Sequence, residues 1–244
     1  MTEKKMERLK EILQDSSYTV AICGSGMMEE GGYIGVKFQE RAYDIEEKYG
    51  VSPEELFTGS YFNTRPEQFF RFYKNEMLRH MPQKTESWDA LAAMERAGKL
   101  QCVISANIFS MGKKVGLKNF IELHGSVYQN RCSRCGKEYS MEYVRDSKGI
   151  TMCTECEGMI RPQITLFGEM VDSRLITQVT EEIERAEVLL LLGTTLNSEV
   201  FGQYIRYFNG KKLVVIHQRE HYEDHHADLA IIEQPRKVLP YLGH

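Results

Sequence analysis

No stretch of this sequence approaches the ~20 consecutive apolar residues that a helix needs to cross a bilayer, which argues against a membrane protein. An apolar signal core is missing as well. The start, Met1-Thr2-Glu3-Lys4-Lys5-Met6, runs straight into a charged amphipathic pattern, so the cytoplasm is the expected compartment. Neither sign of charge is in large excess. A formal charge of −4 over 244 residues gives no global pull toward nucleic acid or anionic lipid, and neither is expected as a partner. Cysteine is limited to six residues, four of them in Cys-x-x-Cys steps, a pattern that without an export signal favours metal over disulfides.

What remains is a globular composition, 42% apolar and 27% charged, long enough for one large α/β core or one core plus a small subdomain. Met6, Leu9, Ile12 and Leu13 fall at helical spacing and predict a short first helix. Thr19-Val20-Ala21-Ile22-Cys23 reads as a buried parallel strand. It runs into Gly24-Ser25-Gly26, where glycine permits a tight turn and close backbone approach to a phosphate. The dinucleotide fingerprint calls for a third glycine or an alanine where Glu29 stands, so this turn alone fits a plain strand-to-helix connection equally. Gly31 to Gly35 reads as a loop. Helices are expected over 38–49, over 66–77 with Pro66 in the first turn, and over 87–96 with Ser87 as cap and Gly98 as stop. The aromatic set Tyr61, Phe62, Phe69, Phe70, Phe72 and Tyr73 is expected in the core.

Chemistry concentrates between Val103 and Cys156. One apolar run ends in the polar tip Ser105-Ala106-Asn107, and a second, from Phe120, ends at His124-Gly125-Ser126. Cys132 and Cys135 follow, then Cys153 and Cys156 after a short polar insertion. Four thiolates at this spacing can close a tetrahedral shell around Zn2+, and a shell filled by protein leaves no position for water, so the metal is expected to be structural. Cys23 and Cys102 lie in apolar strands and read as core thiols. His217, His221, His225 and His226 lie among charged residues and read as a solvated loop.

Strand–helix rhythm then resumes: strands at 164–167, 188–192, 213–216 and 228–231, with a helix over 175–185. Such alternation implies a parallel sheet covered on both faces, whose ligands sit beyond the carboxyl ends of its strands. Gly24 to Gly26, Ala106-Asn107, Gly193-Thr194-Thr195 and His217-Gln218 all fall at such ends.

Taken in order, Gly24-Ser25-Gly26, Asn107-Ile108, Leu123-His124-Gly125, the four cysteines, Phe167-Gly168-Glu169 and Gly193-Thr194-Thr195-Leu196 resemble a sirtuin of divergent bacterial type, from about Tyr18 to Leu242. The resemblance implies a Rossmann-like NAD-binding domain (1–30, 86–130 and 160–244) and a small domain of helical lobe and zinc ribbon (31–85 and 131–159). It implies NAD as cosubstrate and an acylated lysine of a protein or peptide as partner. His124 matches the family's base and Asn107 the asparagine beside the nicotinamide ribose. Gly24, Ser25, Gly26, Met27, Gly193, Thr194, Thr195, His217 and Gln218 match cofactor-binding positions, and Phe167, Gly168 and Glu169 the edge that receives substrate peptide.

Several family positions are altered. The turn's serine hydroxyl is replaced by Met28, the family Asp-Phe-Arg segment reads Gly35-Val36-Lys37, the carboxylate that holds the nicotinamide amide is replaced by Phe109, and the ribose-binding asparagine by His217. Three activities are therefore carried forward: an NAD-dependent protein-lysine deacylase, an NAD-dependent ADP-ribosyltransferase or NAD glycohydrolase, and a non-catalytic NAD or ADP-ribose module.

Overall fold

The computed structural model describes residues 3–242; residues 1, 2, 243 and 244, the outer ends of the expected large domain, lie outside the described residues. Six parallel strands form the main sheet: β1 (Thr19–Cys23), β2 (Cys102–Ser105), β3 (Phe120–Glu122), β7 (Val188–Leu192), β8 (Lys212–His217) and β9 (Leu229–Ile232). Their order is β3-β2-β1-β7-β8-β9. Every side chain of β1 and β7 is buried, as a sheet covered on both faces requires.

Alternation along these strands separates two cores. Ala21, Cys23, Val103, Leu190, Leu192, Val214 and Ile216 face one layer, which continues into the aromatic helical lobe. Val20, Ile22, Cys102, Ile104, Leu189, Leu191 and Val215 face the other, covered by the helix Ser173–Arg185 through Val179 and Ile183. Each fully buried leucine of β7 contributes about 1.5–3 kcal/mol, so this central strand anchors both layers.

A second, antiparallel sheet has the order β5-β4-β6, from β4 (Gly125–Cys132), β5 (Glu138–Tyr139) and β6 (Ile160–Ile164). The apolar run expected as a parallel strand over 164–167 is thus displaced: the strand ends at Ile164 and pairs antiparallel with β4. Thr165 then donates to the His124 carbonyl and Phe167 to the Phe57 carbonyl, which pulls 165–167 out of any regular ladder.

Helices Glu3–Gln14, Gln39–Tyr49 and Ser173–Arg185 lie where apolar spacing predicts them. The helix expected over 66–77 changes character instead. It is α-helical over Pro66–Phe72, then widens to a π-helix over Tyr73–Leu78. Ser87 is not a cap: the helix Glu86–Arg96 starts one residue earlier, and Ser87 is fully buried with a hydroxyl that has no partner among the described residues. Thr85 precedes that helix, and its hydroxyl donates to Glu30 at 2.6 Å instead of capping. Phe69, Phe70, Phe72 and Tyr73 have no exposed surface, so the aromatic set is core as expected.

The helical lobe and the ribbon meet at Lys74. Its buried ammonium donates to the Ser147 carbonyl, the Ser147 hydroxyl and the Gly149 carbonyl at 2.7–2.9 Å, and burial pulls its pKa down to about 8. Among the described residues no helix is long and apolar enough to cross a membrane.

Candidate active site and metal centre

The ends of β1, β2, β3, β7 and β8 form one rim. At its centre two glycine turns press against each other. Gly24 N–H donates to the Leu192 carbonyl and Gly26 N–H to the Gly193 carbonyl, both at 2.9 Å. A Cβ on Gly24 would lie 2.5 Å from Thr194 Cβ, and one on Gly193, which has φ +59°, would lie 2.6 Å from Met27 N. Glycine is needed here first for turn-on-turn packing, a requirement that a motif pattern does not separate from phosphate approach. Gly24→Ala should cost about 1–3 kcal/mol by overpacking, lowering Tm by about 2–4 °C for each kcal/mol, and thermal melting checks it. Ser25 is exposed on this rim, whereas the Met27 side chain is fully buried in the core, so Met27 offers the rim only its backbone.

Asn107 and His124 come from neighbouring strands. Ser105 pairs with Glu122 across β2 and β3, so Asn107 and His124 each stand two residues beyond one register position, on strands about 4.8 Å apart. The Asn107 side-chain amide donates to the Gly24 carbonyl at 2.9 Å and to the Ser105 hydroxyl at 3.2 Å. Those bonds use its donor end and leave the amide oxygen without a partner among the described residues. Buried Ser105, which also accepts the Asn107 backbone N–H at 3.1 Å, is the positioning residue that the sequence reading missed.

His124 is half-buried, and burial pulls its imidazole below the usual histidine range. Its Nδ1 is buried without a partner among the described residues. The ring is consequently neutral near pH 7, the state a proton acceptor needs. Two residues before it, buried Glu122 is bound by Ser110 and Lys113, and Ser110 meets Ser126 at 2.5 Å. This network pins the β3–β4 turn that carries the histidine. Its members are scattered serines and charges whose sequence spacing carries no signal.

Phe167, Gly168 and Glu169 lie against the helical lobe. Phe167 and Thr58 form a parallel bridge, and Gly168 is exposed with φ +80°. The Glu169 carboxylate accepts from Arg161 at 2.6 and 2.7 Å and from Leu166 N–H at 2.9 Å, so it braces this turn from within. Lys37 Nζ lies 4.7 Å from the Phe167 ring centroid and 3.7 Å from Glu199.

The sulfurs of Cys132, Cys135, Cys153 and Cys156 all lie within 4.8 Å of one another, and two of the separations are 3.5 and 3.6 Å. Those separations are too long for a disulfide, whose sulfurs stand about 2.05 Å apart. They suit a tetrahedral metal, since bonds of about 2.3 Å set neighbouring sulfurs about 3.8 Å apart. The Tyr139 hydroxyl donates to Cys153 at 3.0 Å and pulls that thiol down to about 6. Backbone N–H groups of Arg134 and Glu155 point at Cys132 and Cys153. Donors aimed at sulfur favour the thiolate, the form that ligates. Cys23 and Cys102 are buried core thiols, as expected, and burial pushes both up.

The histidine tract divides. His225 and His226 are exposed, in keeping with a solvated loop, but His217 is buried at the end of β8, with Nε2 2.9 Å from an oxygen of buried Asp224. The solvated-loop expectation therefore fails at His217, because the turn Tyr222–His226 folds back over the strand end. Gln218 is exposed beside it, and Gly193, Thr194 and Thr195 are half-buried at the end of the adjacent β7.

Residues 38–200, more than half of the chain, match the profile of the Sir2 family. The chain belongs to the Sir2 family. Two relatives of this Sir2 chain, both named NAD-dependent protein deacetylase, come from Clostridium perfringens (strain 13 / Type A) and Clostridium acetobutylicum. The first is 33% identical over 238 residues, covering 97% of this chain and 98% of the relative. The second is 32% identical over 236 residues, covering 96% of each. Among solved structures, a Sir2 enzyme superposes with a TM-score of 0.86 at 25% identity, over 99% of this chain and 96% of that one. A Sir2 with a p53 peptide and NAD+ gives 0.79 at 26% identity, over 96% and 95%.

Against the Sir2 pattern, two departures now have surroundings. Phe109, standing for the family carboxylate, is buried, its ring centroid 4.7 Å from that of Tyr33 on the 31–35 loop. Val36 is buried as well, so the altered loop segment is held by apolar packing.

Proposed function

We propose that the rim around Asn107 and His124 is the active site of an NAD-dependent protein-lysine deacylase, which releases nicotinamide and O-acyl-ADP-ribose. The observation that carries this reading is the β2–β3 register, which aligns an amide and a neutral, half-buried imidazole beside the paired glycine turns. Bound NAD supplies the ADP-ribosyl group, with nicotinamide as its leaving group. Asn107 presents its unpartnered amide oxygen to the nicotinamide ribose, and His124 accepts a proton from a ribose hydroxyl. Gly24, Ser25, Gly26 and the Met27 backbone, with Gly193, Thr194 and Thr195, cradle the phosphates and ribose. His217 and Gln218 flank the adenosine end.

Phe167, Gly168 and Glu169 receive the acyl-lysine peptide as an added strand. Glu169, tied to Arg161, keeps that edge in place. Cys132, Cys135, Cys153 and Cys156 hold a structural zinc, which needs reduced thiols and therefore suits the cytoplasm. The large domain comprises 1–30, 86–130 and 160–244; the helical lobe and ribbon, 31–85 and 131–159, make the small one.

A panel of acyl-lysine peptides incubated with NAD tests the reading, with nicotinamide and ribosyl products followed by mass spectrometry. Deacylated peptide and O-acyl-ADP-ribose should form in equal amounts. ADP-ribose on a protein acceptor would replace the reading with ribosyl transfer, and free ADP-ribose alone with NAD hydrolysis. Saturable NAD binding without nicotinamide release would leave a binding module.

A further inference from the structure

The helical lobe carries a buried charge that the deacylation chemistry does not use. Lys74 sits in the π-helix Tyr73–Leu78, a wide turn of a kind that is rare and recurs at functional sites. Its ammonium reaches the ribbon, where its three acceptors on Ser147 and Gly149 are all neutral oxygens. The Phe70 ring centroid lies 5.2 Å from Nζ, and the charge that bears on it, Arg79, has the same sign. Burying an ammonium without a carboxylate incurs a desolvation cost that no ion pair offsets. An apolar side chain would seal this seam at lower cost, so the tie to the ribbon is what a lysine adds here.

The same turn holds the loop beside the rim. The Glu76 carbonyl, one of the last four of the turn, accepts from Arg41 Nη2 at 2.6 Å, and Arg41 Nη1 donates to the Ile34 carbonyl. One guanidinium thus clamps the loop to the turn. Met77 Sδ accepts from the Tyr33 hydroxyl at 3.6 Å, and the Tyr33 ring meets that of Phe109, two residues past Asn107. Elsewhere the contact is thin. A cleft of about 520 Å³ opens between Gly32–Ile34, the helix Gln39–Tyr49 and the segment from Glu76 to Met81. With few groups holding it, the loop belongs to the weakly ordered part of the fold, where losing one anchor changes its order.

We propose that Lys74 is a positioning residue for the rim: it ties the π-helical turn to the ribbon, and the turn, through Arg41, holds the 31–37 loop beside Asn107. Ribbon and loop are then ordered together. The structural part of this coupling does not depend on NAD, whereas its kinetic part rests on NAD binding along the rim.

Hydrogen exchange of the full chain, without ligand, tests the structural part. Lys74→Met keeps the length of the side chain and removes the three donated bonds. Peptides covering 31–37 and 144–149 should both exchange about tenfold faster, with β1 and β7 unchanged. Arg41→Met should speed exchange of the loop alone, and adding Lys74→Met should speed the loop no further, because both act through one clamp. Should Lys74→Met not fold, Ser147→Ala removes a single acceptor and should shift the same two segments by less. Faster exchange confined to 144–149, or additive effects on the loop, would overturn the proposal by reducing Lys74 to a seal between lobe and ribbon. In turnover, Lys74→Met should raise KM for NAD about fivefold or more with kcat within about twofold, a split that a general loss of folded protein does not produce. An unchanged KM would sever the loop from the rim and overturn the positioning role. Absence of NAD turnover in the wild-type chain would instead remove the NAD reading, and the exchange results would still decide the coupling.

Discussion

Cys132→Ala, or exposure to a strong chelator, is expected to unfold the ribbon while the parallel sheet stays folded. The ribbon has little else to hold it. β5 is two residues long, the insertion from Gly136 to Ile150 is mostly exposed, and of that insertion Met141 and Val144 are buried while Tyr139 and Ile150 pack against the core only in part. Closing four thiolates on one ion contributes on the order of 10 kcal/mol to such a module, far more than its packing can supply. Cys132 is the decisive ligand because it ends β4 and is buried, so its loss leaves the remaining sulfurs without the knuckle that aims them. The expected record is one zinc per chain in the wild type, loss of that zinc in the variant, and fast hydrogen exchange confined to 132–159 with β1 and β7 still protected. The lobe should loosen as well, since Lys74 loses its Ser147 and Gly149 acceptors. An unchanged melting profile with no bound zinc would contradict a structural metal.

His124→Ala should lower kcat by about 10²–10⁴-fold while moving the NAD dissociation constant by no more than a few fold. The residue sits at a turn held independently by Glu122, Ser110 and Lys113, so truncating the imidazole leaves the backbone path intact. The pH profile carries a second check. A base works only when neutral, so activity is full above the histidine pKa and is lost as pH falls through it. Burial lowers this pKa below the ordinary ~6.5, which places the acid limb of kcat/KM below pH 6.5. A limb at or above neutrality would show that another group is titrating, and unchanged turnover in the variant would exclude His124 as the base.

How far the chain could be read without coordinates depends on where its information lies. β1 and β7 are legible because every residue in them is apolar or β-branched and both are bounded by glycine turns. The cysteine quartet is legible because the ligands of a metal knuckle come in pairs with two residues between them in sequence. β6 is not, since apolar character runs on from Ile164 through Phe167 and only pairing with β4 decides where the strand stops. Ser87 has the composition of a cap, yet burial against the core makes it an interior residue with an orphaned hydroxyl. The π-helical turn at Tyr73–Leu78 leaves no local mark, because the same apolar spacing serves an α-helix.

The amino-acid sequence by itself determined the class of fold, the central parallel strands, the metal-type thiols and the choice of His124 and Asn107 as the imidazole and amide of the proposed site, all of which depend on residue type and short-range spacing. Tertiary structure alone decided that Asn107 and His124 share one register, that Gly24 and Gly193 press together, and that His217 is buried against Asp224. Those facts follow from which strand lies beside which and from how a turn folds over a strand end. Residues up to 169 positions apart meet there, and no local pattern records the meeting.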